Sequence, residues 1–508
     1  MADISSNNSR LAKNTVALYV RMLVLMLISL YTSRVVLATL GIDDFGIYNV
    51  VGGVVMLFSF LNSSMAGTTQ RFLNVELGKN DESRAIVVFS MGINCQLIIM
   101  LIFLLLAETL GLWYMNTYVN IPYDRIEAAH WVYQLSVIVA CVNIFYAPYN
   151  GAIIAYEKMG VYAYVSIIEA ILRLGIVYLL TLWNLDKLIL YAILTLGVSV
   201  ITAGIYVIYC LRKFKICHYV FKWDKALFKG LMSFSGWSIF GTIANLGITQ
   251  GLNLVLNFFF SVAINAAMGV ATQVNGAITR FITGFTTAFS PQITKSYASG
   301  ESDYFLSLVY RTTRFSFFLF FVLALPLFIC CYEIMDLWLE EVPEHAVSFC
   351  KLMIIYSLID SVCNSLACAV GAHGDIKNYQ IGLSVLKFLV IPISIVGLLL
   401  GASPEYVLFI NILMNIATYI FRLFYLKKRI LFNILSFVRE ALLPCLYVMV
   451  ASLPLPIITY KFTSPLGIWG TLITVLIAIV TTATSTFFIG MTMNERNKVI
   501  SFAKHLVR

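Results

Sequence analysis

Several charged side chains fall deep inside stretches that are otherwise apolar. They are Arg21, Arg34, Arg173, Arg280 and Lys387 on the cationic side, against Glu169 and Asp360. A charge held away from water is costly, so each is a candidate for function. The excess is positive, which points to an anionic ligand. Arginine suits phosphate because its planar fork donates two hydrogen bonds at once. Arg280 has the least room to reach water, lying near the middle of the run 265–289. Gln273, Gly276, Thr283 and Thr287 share its helical face, at the spacing of a polar stripe.

The other charges admit two readings each. Arg21 and Arg34 each lie about 10 Å from an end of the run 15–39 at helical rise, within reach of lipid headgroups. They stand roughly 140° apart around a straight helix, so they share a cavity only if it bends or both flank that cavity. Glu169 and Arg173 sit at i,i+4 with the acid first, the favourable order for a pair. They form either a self-neutralised packing pair or part of a site. Lys387 and Asp360 have no partner on their own helices. They pair with each other, or Asp360 is a proton or cation site. Arg422, near the end of its run, reads as reaching to headgroups. Asn245, Thr249, Asn253 and Asn257 recur every fourth residue in the run 231–257. That column serves interhelical hydrogen bonding or, facing the Arg280 stripe, lines a wet cavity.

The elements that carry these residues follow from composition. Hydrophobic residues make up 60% of the chain and charged residues 12%, with a mean hydropathy of +0.89. A soluble domain runs at about 45–50% apolar residues. The chain therefore reads as an all-α polytopic membrane protein, with about 14 transmembrane helices at roughly 20 residues per span. The expected spans are 15–39, 45–67, 86–108, 129–151, 161–183, 188–211, 231–257, 265–289, 312–334, 346–371, 380–401, 405–426, 440–460 and 466–490. With residues 1–14 as a cytoplasmic leader rather than a removable signal, most lysines and arginines fall on the inside. Only Arg125, Lys187, Lys351 and Lys461 fall in outside loops, as the positive-inside bias requires.

Spans 1–6 and 7–12 echo each other. Gly46, Val51 and Gly53 recur as Gly269, Val274 and Gly276, and Gln70, Gly78 and Asp81 recur as Gln292, Gly300 and Asp303. Ala155 and Tyr162 recur as Ala372 and Tyr379. An even number of spans per copy makes this a parallel repeat. The charges are not repeated: Leu57 stands opposite Arg280 and Asn143 opposite Asp360. The expected organisation is a six-helix bundle at 1–211, a basic cytoplasmic linker at 212–229, a second six-helix bundle at 230–429, and spans 13 and 14 with a cytoplasmic tail at 430–508.

Much chemistry is excluded. There is no G-x-x-x-x-G-K-[ST] loop, no H-E-x-x-H and no metal-type Cys/His spacing, so no cofactor or metal is expected. The ten cysteines are scattered, and the vicinal Cys330–Cys331 reads as apolar packing. The net charge of +9 sits in short loops rather than on one solvated face, which excludes nucleic acid. No loop has room for a soluble catalytic domain, so an enzyme is not expected.

Four segments carry a family resemblance: Leu11-Ala-Lys-Asn-Thr15, Ser33-Arg-Val-Val-Leu37, Leu40-Gly-Ile-Asp-Asp-Phe-Gly-Ile-Tyr-Asn-Val-Val-Gly-Gly53 and Tyr146-Ala-Pro-Tyr-Asn-Gly-Ala-Ile-Ile-Ala-Tyr-Glu-Lys-Met159. They resemble bacterial polysaccharide-biosynthesis proteins, the O-antigen-type lipid-linked oligosaccharide flippases of the multidrug/oligosaccharidyl-lipid/polysaccharide exporter superfamily. The resemblance implies two six-helix bundles in a V around a central cavity, with two extra C-terminal helices. It implies transport of an undecaprenyl-pyrophosphate-linked oligosaccharide, of O-antigen or capsule type, across the bacterial inner membrane by alternating access. A pyrophosphate site is implied at Arg280 and Arg34, with Arg21, Arg173 and Lys387 as further cations. Asn245, Asn253, Asn257, Gln273 and Thr283 would meet sugar hydroxyls. Coupling to H+ or Na+ would run through Asp360 or Glu169. The implied partners are the polyprenyl-linked glycan, membrane lipid and glycan-polymerase machinery, around a monomer with both termini cytoplasmic. A drug or cation antiporter on the same architecture is the alternative, with a peptidoglycan-precursor flippase as a close cousin; in the antiporter a membrane-embedded acid should dominate.

Overall fold

The structure is a computed structural model that describes residues 2–56, 59–118, 121–180, 186–260, 262–339, 341–430, 432–497 and 500. All regular elements among them are helical. In order they are α1 (Ala2–Met56), α2 (Ser59–Gly78), α3 (Glu82–Leu106), α4 (Leu112–Tyr118), α5 (Ile126–Ala155), α6 (Met159–Leu179) and α7 (Lys187–Lys213). There follow α8 (Lys225–Phe259), α9 (Val262–Ala298), α10 (Ser302–Ile329), α11 (Cys331–Trp338), α12 (Ala346–His373) and α13 (Lys377–Phe388). The last are α14 (Val390–Leu399), α15 (Glu405–Arg429), α16 (Ile434–Phe437), α17 (Leu443–Ser452), α18 (Pro454–Thr463) and α19 (Ile468–Ser485).

Eleven helices among the described residues are long and apolar enough to cross a membrane. They correspond to expected spans 3–7 and 9–14. The remaining expectations, 15–39, 45–67 and 265–289, fall on α1, α2 and α9, and the polar stripe of α9 lowers its own hydropathy. The first two expected spans meet at Gly41, whose φ of 81° breaks α1 and which only glycine adopts without strain. Span 11 is split between α13 and α14, because Pro392 has no N–H to return to the carbonyl of Phe388.

Two helices run past their expected ends. α2 continues to Gly78 because Thr68, Thr69 and Asn74 are buried within the fold rather than left in a loop. It packs closely on α3: a Cβ on Gly92 would lie 2.6 Å from Thr69 Cγ2, so that glycine permits the approach. α9 passes through Pro291 and ends at Ala298, which makes Lys295 helical rather than part of a loop.

The chain divides into two compact units. Unit 1 is Met1–Thr242 with Thr294–Gly300, and unit 2 is Ile243–Ile293 with Glu301–Arg508. In unit 1, α5 packs along α7, and α1 along α6. Its core holds Phe89, Tyr133, Met65 and Leu73, all fully buried. In unit 2, α10 packs on α12 and α12 on α15, around Phe320, Phe349 and Leu256.

Ion pairs fasten the polar ends. In unit 1, Arg125 donates to both Asp44 and Asp186, the latter at 2.5 Å. Asp186 also caps α7, accepting from the backbone N–H groups of Leu188 and Ile189. Burial raises its pKa, but the Arg125 and backbone hydrogen bonds overcome that and hold it below its usual value. Lys295 pairs with the buried Glu157 at 2.9 Å. In unit 2, Arg311 and Arg314 both pair with Glu495, at 3.3 and 2.8 Å.

Candidate functional site

In unit 1 the predicted charges converge. α1 brings Arg21, and α6 brings Glu169 and Arg173, to one cavity of about 430 Å³ that Ser29, Tyr48, Asn49, Ser166 and Tyr191 also line. Arg21 donates to Tyr162 Oη at 3.2 Å, with its guanidinium carbon 4.2 Å from that ring centroid. Its Nε is buried without a hydrogen-bond partner among the described residues. Arg173 donates to Glu169 Oε1 from Nε at 3.1 Å and from Nη2 at 2.9 Å, so the i,i+4 pair forms as its spacing requires. Glu169 thus offsets one arginine of the cavity, and Arg21 is left in excess.

A second cavity of about 310 Å³ adjoins the first, since Tyr48, Asn49 and Arg173 line both. Its other polar walls are Asn62, Ser136, Asn143 and Thr195. Asn62 Oδ1 accepts from Gln96 Nε2 at 3.2 Å. Amides and hydroxyls of this kind both donate and accept, which suits a polyhydroxylated ligand. Sequence reasoning about buried charge passes over these residues because they are neutral. The available signal was that Tyr48 and Asn49 belong to the Leu40–Gly53 segment that carries the family resemblance.

Unit 2 carries the remaining candidates. Along α9 the side chains of Gln273, Arg280 and Thr283 are exposed, whereas Ala271, Ile278, Phe285 and Ala288 on the other face are buried. The polar stripe is therefore the uncovered face of this helix within its unit. No ion pair of Arg280 occurs among the described residues. Thr283 turns back to the carbonyl of Thr279 at 3.1 Å. Asn245 and Asn257 on α8 are exposed and Asn253 is half-buried. Asn245 Oδ1 accepts from Lys387 Nζ at 3.1 Å, which ties the cation of α13 to the amide column of α8. The backbone of Arg34 lies in α1; its side chain, and Leu57, lie outside the described residues.

One expectation is corrected. Arg422 does not reach to headgroups: it is only 7% exposed and donates from Nη1 to the carbonyl of Cys363 at 3.2 Å. Asp360 lies within electrostatic reach of both Arg422 and Lys387. Residue counting along α15 could not reveal this, because the groups that hold Arg422 come from α12 and α13. The echoed tyrosines take matching roles, Tyr162 against Arg21 and Tyr379 beside Arg422.

Residues 11–297 match the family described as "Polysaccharide biosynthesis protein". No curated protein matches the chain in sequence. Among solved structures, the chain is similar to a MATE transporter in its straight conformation, with a TM-score of 0.72 at 14% identity, covering 83% of this chain and 96% of that one. It is also similar to an outward-facing multidrug resistance MATE family transporter of the MOP superfamily, at 0.70 and 14%, covering 82% and 95%. The MATE transporter ClbM in complex with Rb+ matches at 0.66 and 15%, covering 81% and 94%.

Proposed function

Because the chain belongs to the polysaccharide-biosynthesis protein family and has the fold of MATE transporters, we propose that this multi-pass transporter is a flippase for a polyprenyl-pyrophosphate-linked oligosaccharide. It is a transporter rather than an enzyme. The proposed substrate is an undecaprenyl-pyrophosphate-linked repeat unit of O-antigen or capsule type, moved by alternating access across a bacterial inner membrane with both termini in the cytoplasm.

The observation that carries this reading is the uncovered face of α9. A helix against hydrocarbon turns large apolar side chains outward, yet among the described side chains of α9 the exposed ones are Thr272, Gln273, Arg280 and Thr283 with the small Ala266, Gly269 and Ala277. Such a face serves water or a polar ligand. Arg280 meets no carboxylate among the described residues, so an incoming phosphate would supply its counter-charge. Within unit 1, Arg21 is the cation left in excess of the Glu169–Arg173 pair, and the amides of the adjoining cavity offer partners for sugar hydroxyls.

The antiporter alternative asks for a dominant acid. Asp360 faces two cations and Glu169 is tied to Arg173, so neither is a free carboxylate for Na+.

The test is leaflet translocation of a defined polyprenyl-pyrophosphate sugar in proteoliposomes. Arg280→Ala should lower the rate about 10- to 100-fold, the scale of one lost charged hydrogen bond, with Arg280→Lys between it and wild type. A correctly inserted Arg280→Ala protein that transports normally overturns the phosphate site. Export of cationic drugs without glycan-lipid transport would favour the antiporter.

A further inference from the structure

The vicinal cysteines Cys330 and Cys331 divide their thiols between different neighbours. Cys330 closes α10 and lies near Glu333 and Tyr460. Cys331 opens α11, and its thiol lies in hydrogen-bond contact with that of Cys350 in the first turns of α12. Cys331 Sγ also donates to the carbonyl of Val347, one turn before Cys350, at 3.9 Å. Both residues are buried in one apolar cluster with Met335, Ala346 and Phe349. No group of three or more potential metal ligands occurs among the described residues, so a shared zinc does not account for the pair.

A second thiol pair sits elsewhere. Cys210, which donates to the carbonyl of Tyr149 at 3.4 Å, contacts Cys217 in unit 1. The loops beside the two pairs carry opposite charge. Arg212, Lys213 and Lys215 lie between Cys210 and Cys217, whereas Asp336, Glu341 and Glu344 lie between Cys331 and Cys350. By the positive-inside bias the first pair is cytoplasmic and the second is at the outer face. The bacterial periplasm is oxidising and the cytosol reducing.

From the juxtaposition of these thiols and the charge of their loops, we propose that Cys331 and Cys350 form a disulfide at the outer end of unit 2, while Cys210 and Cys217 remain thiols. The step is thiol–disulfide exchange with a disulfide-bearing oxidant of the outer compartment. The two thiols give up two protons and two electrons as the S–S bond forms, and the oxidant's disulfide takes them up to become a dithiol. Neither thiol is reachable once α11 has packed on α12, so exchange precedes that packing. The bond closes the acidic turn after α11 into a covalent loop and leaves Cys330 reduced.

The test uses the full chain in the membrane of a bacterium with an intact periplasmic disulfide system. Cells are quenched in acid, denatured, alkylated with N-ethylmaleimide and digested without reduction for mass spectrometry. A peptide pair linked through Cys331 and Cys350 is expected, with maleimide on Cys210, Cys217 and Cys330. Maleimide on both Cys331 and Cys350, a link through Cys330 instead, or a link between Cys210 and Cys217 overturns the proposal. A host lacking the oxidant should yield both outer thiols free, and persistence of the link there overturns the exchange step. Cys331→Ser should expose Cys350 to maleimide; if that variant does not accumulate, the wild-type digest still decides.

Discussion

Arg280 and Arg422 show how the same residue type serves two ends. Arg280 is exposed and makes no ion pair among the described residues, whereas Arg422 is buried against the Cys363 carbonyl and beside Asp360. Arg422→Met should therefore lower the thermal midpoint of the detergent-solubilised protein sharply. Removing one partner of a buried charged group costs about 3–5 kcal/mol. Arg280→Ala should leave the same midpoint nearly unchanged while transport falls, because an exposed side chain contributes little to stability. A differential-scanning measurement on both variants separates the two roles. Asp186 permits a pH test. Its folded pKa lies below the unfolded value of about 3.9, so its contribution is complete above that value and fades as pH drops through the folded pKa. Asp186→Asn keeps the cap but removes the charge. Its midpoint should lie below wild type at pH 7, and the gap should close as the pH falls under about 4.

At the scale of elements, the helices were legible in sequence and their ends were not. Runs of roughly 20 apolar residues announce a span without any tertiary information. The polar ends of α2 and α9 gave no such signal, because burial of Thr68, Thr69 and Asn74 and the Lys295–Glu157 pair are set by neighbouring helices. The Glu169–Arg173 pair was legible because its partners share one helix. The Asp360–Arg422 neighbourhood was hidden because its members come from α12 and α15. Close helix approach makes a further prediction. A Cβ on Gly470 would collide with the backbone carbonyl of Thr463, at the turn between α18 and α19. Gly470→Ala should destabilise that hairpin by about 1–3 kcal/mol, the usual cost of overpacking, visible as faster proteolysis near residues 463–470. The control is Gly276→Ala, where nothing lies within 4 Å of the added carbon and little change is expected.

At the scale of the whole molecule, the chain joins a repeated scaffold to charges that are not repeated. Tyr162 and Tyr379 are echoes, and each stands beside an arginine, but Arg21 comes from α1 and Arg422 from α15. The scaffold could thus be read from hydropathy, while the placement of its cations required the tertiary structure. The Arg125 clasp shows what such placement means during synthesis. Asp44, Arg125 and Asp186 enter the membrane in that order, N-terminal first. Until residue 186 has left the ribosome, Arg125 has only Asp44, and α7 has no cap. The clasp is therefore complete only once residue 186 has emerged, and the Lys295–Glu157 pair of the same unit waits longer still, for residue 295. Chains halted before residue 186 hold the clasp half made, and a quality-control protease would find them in that interval.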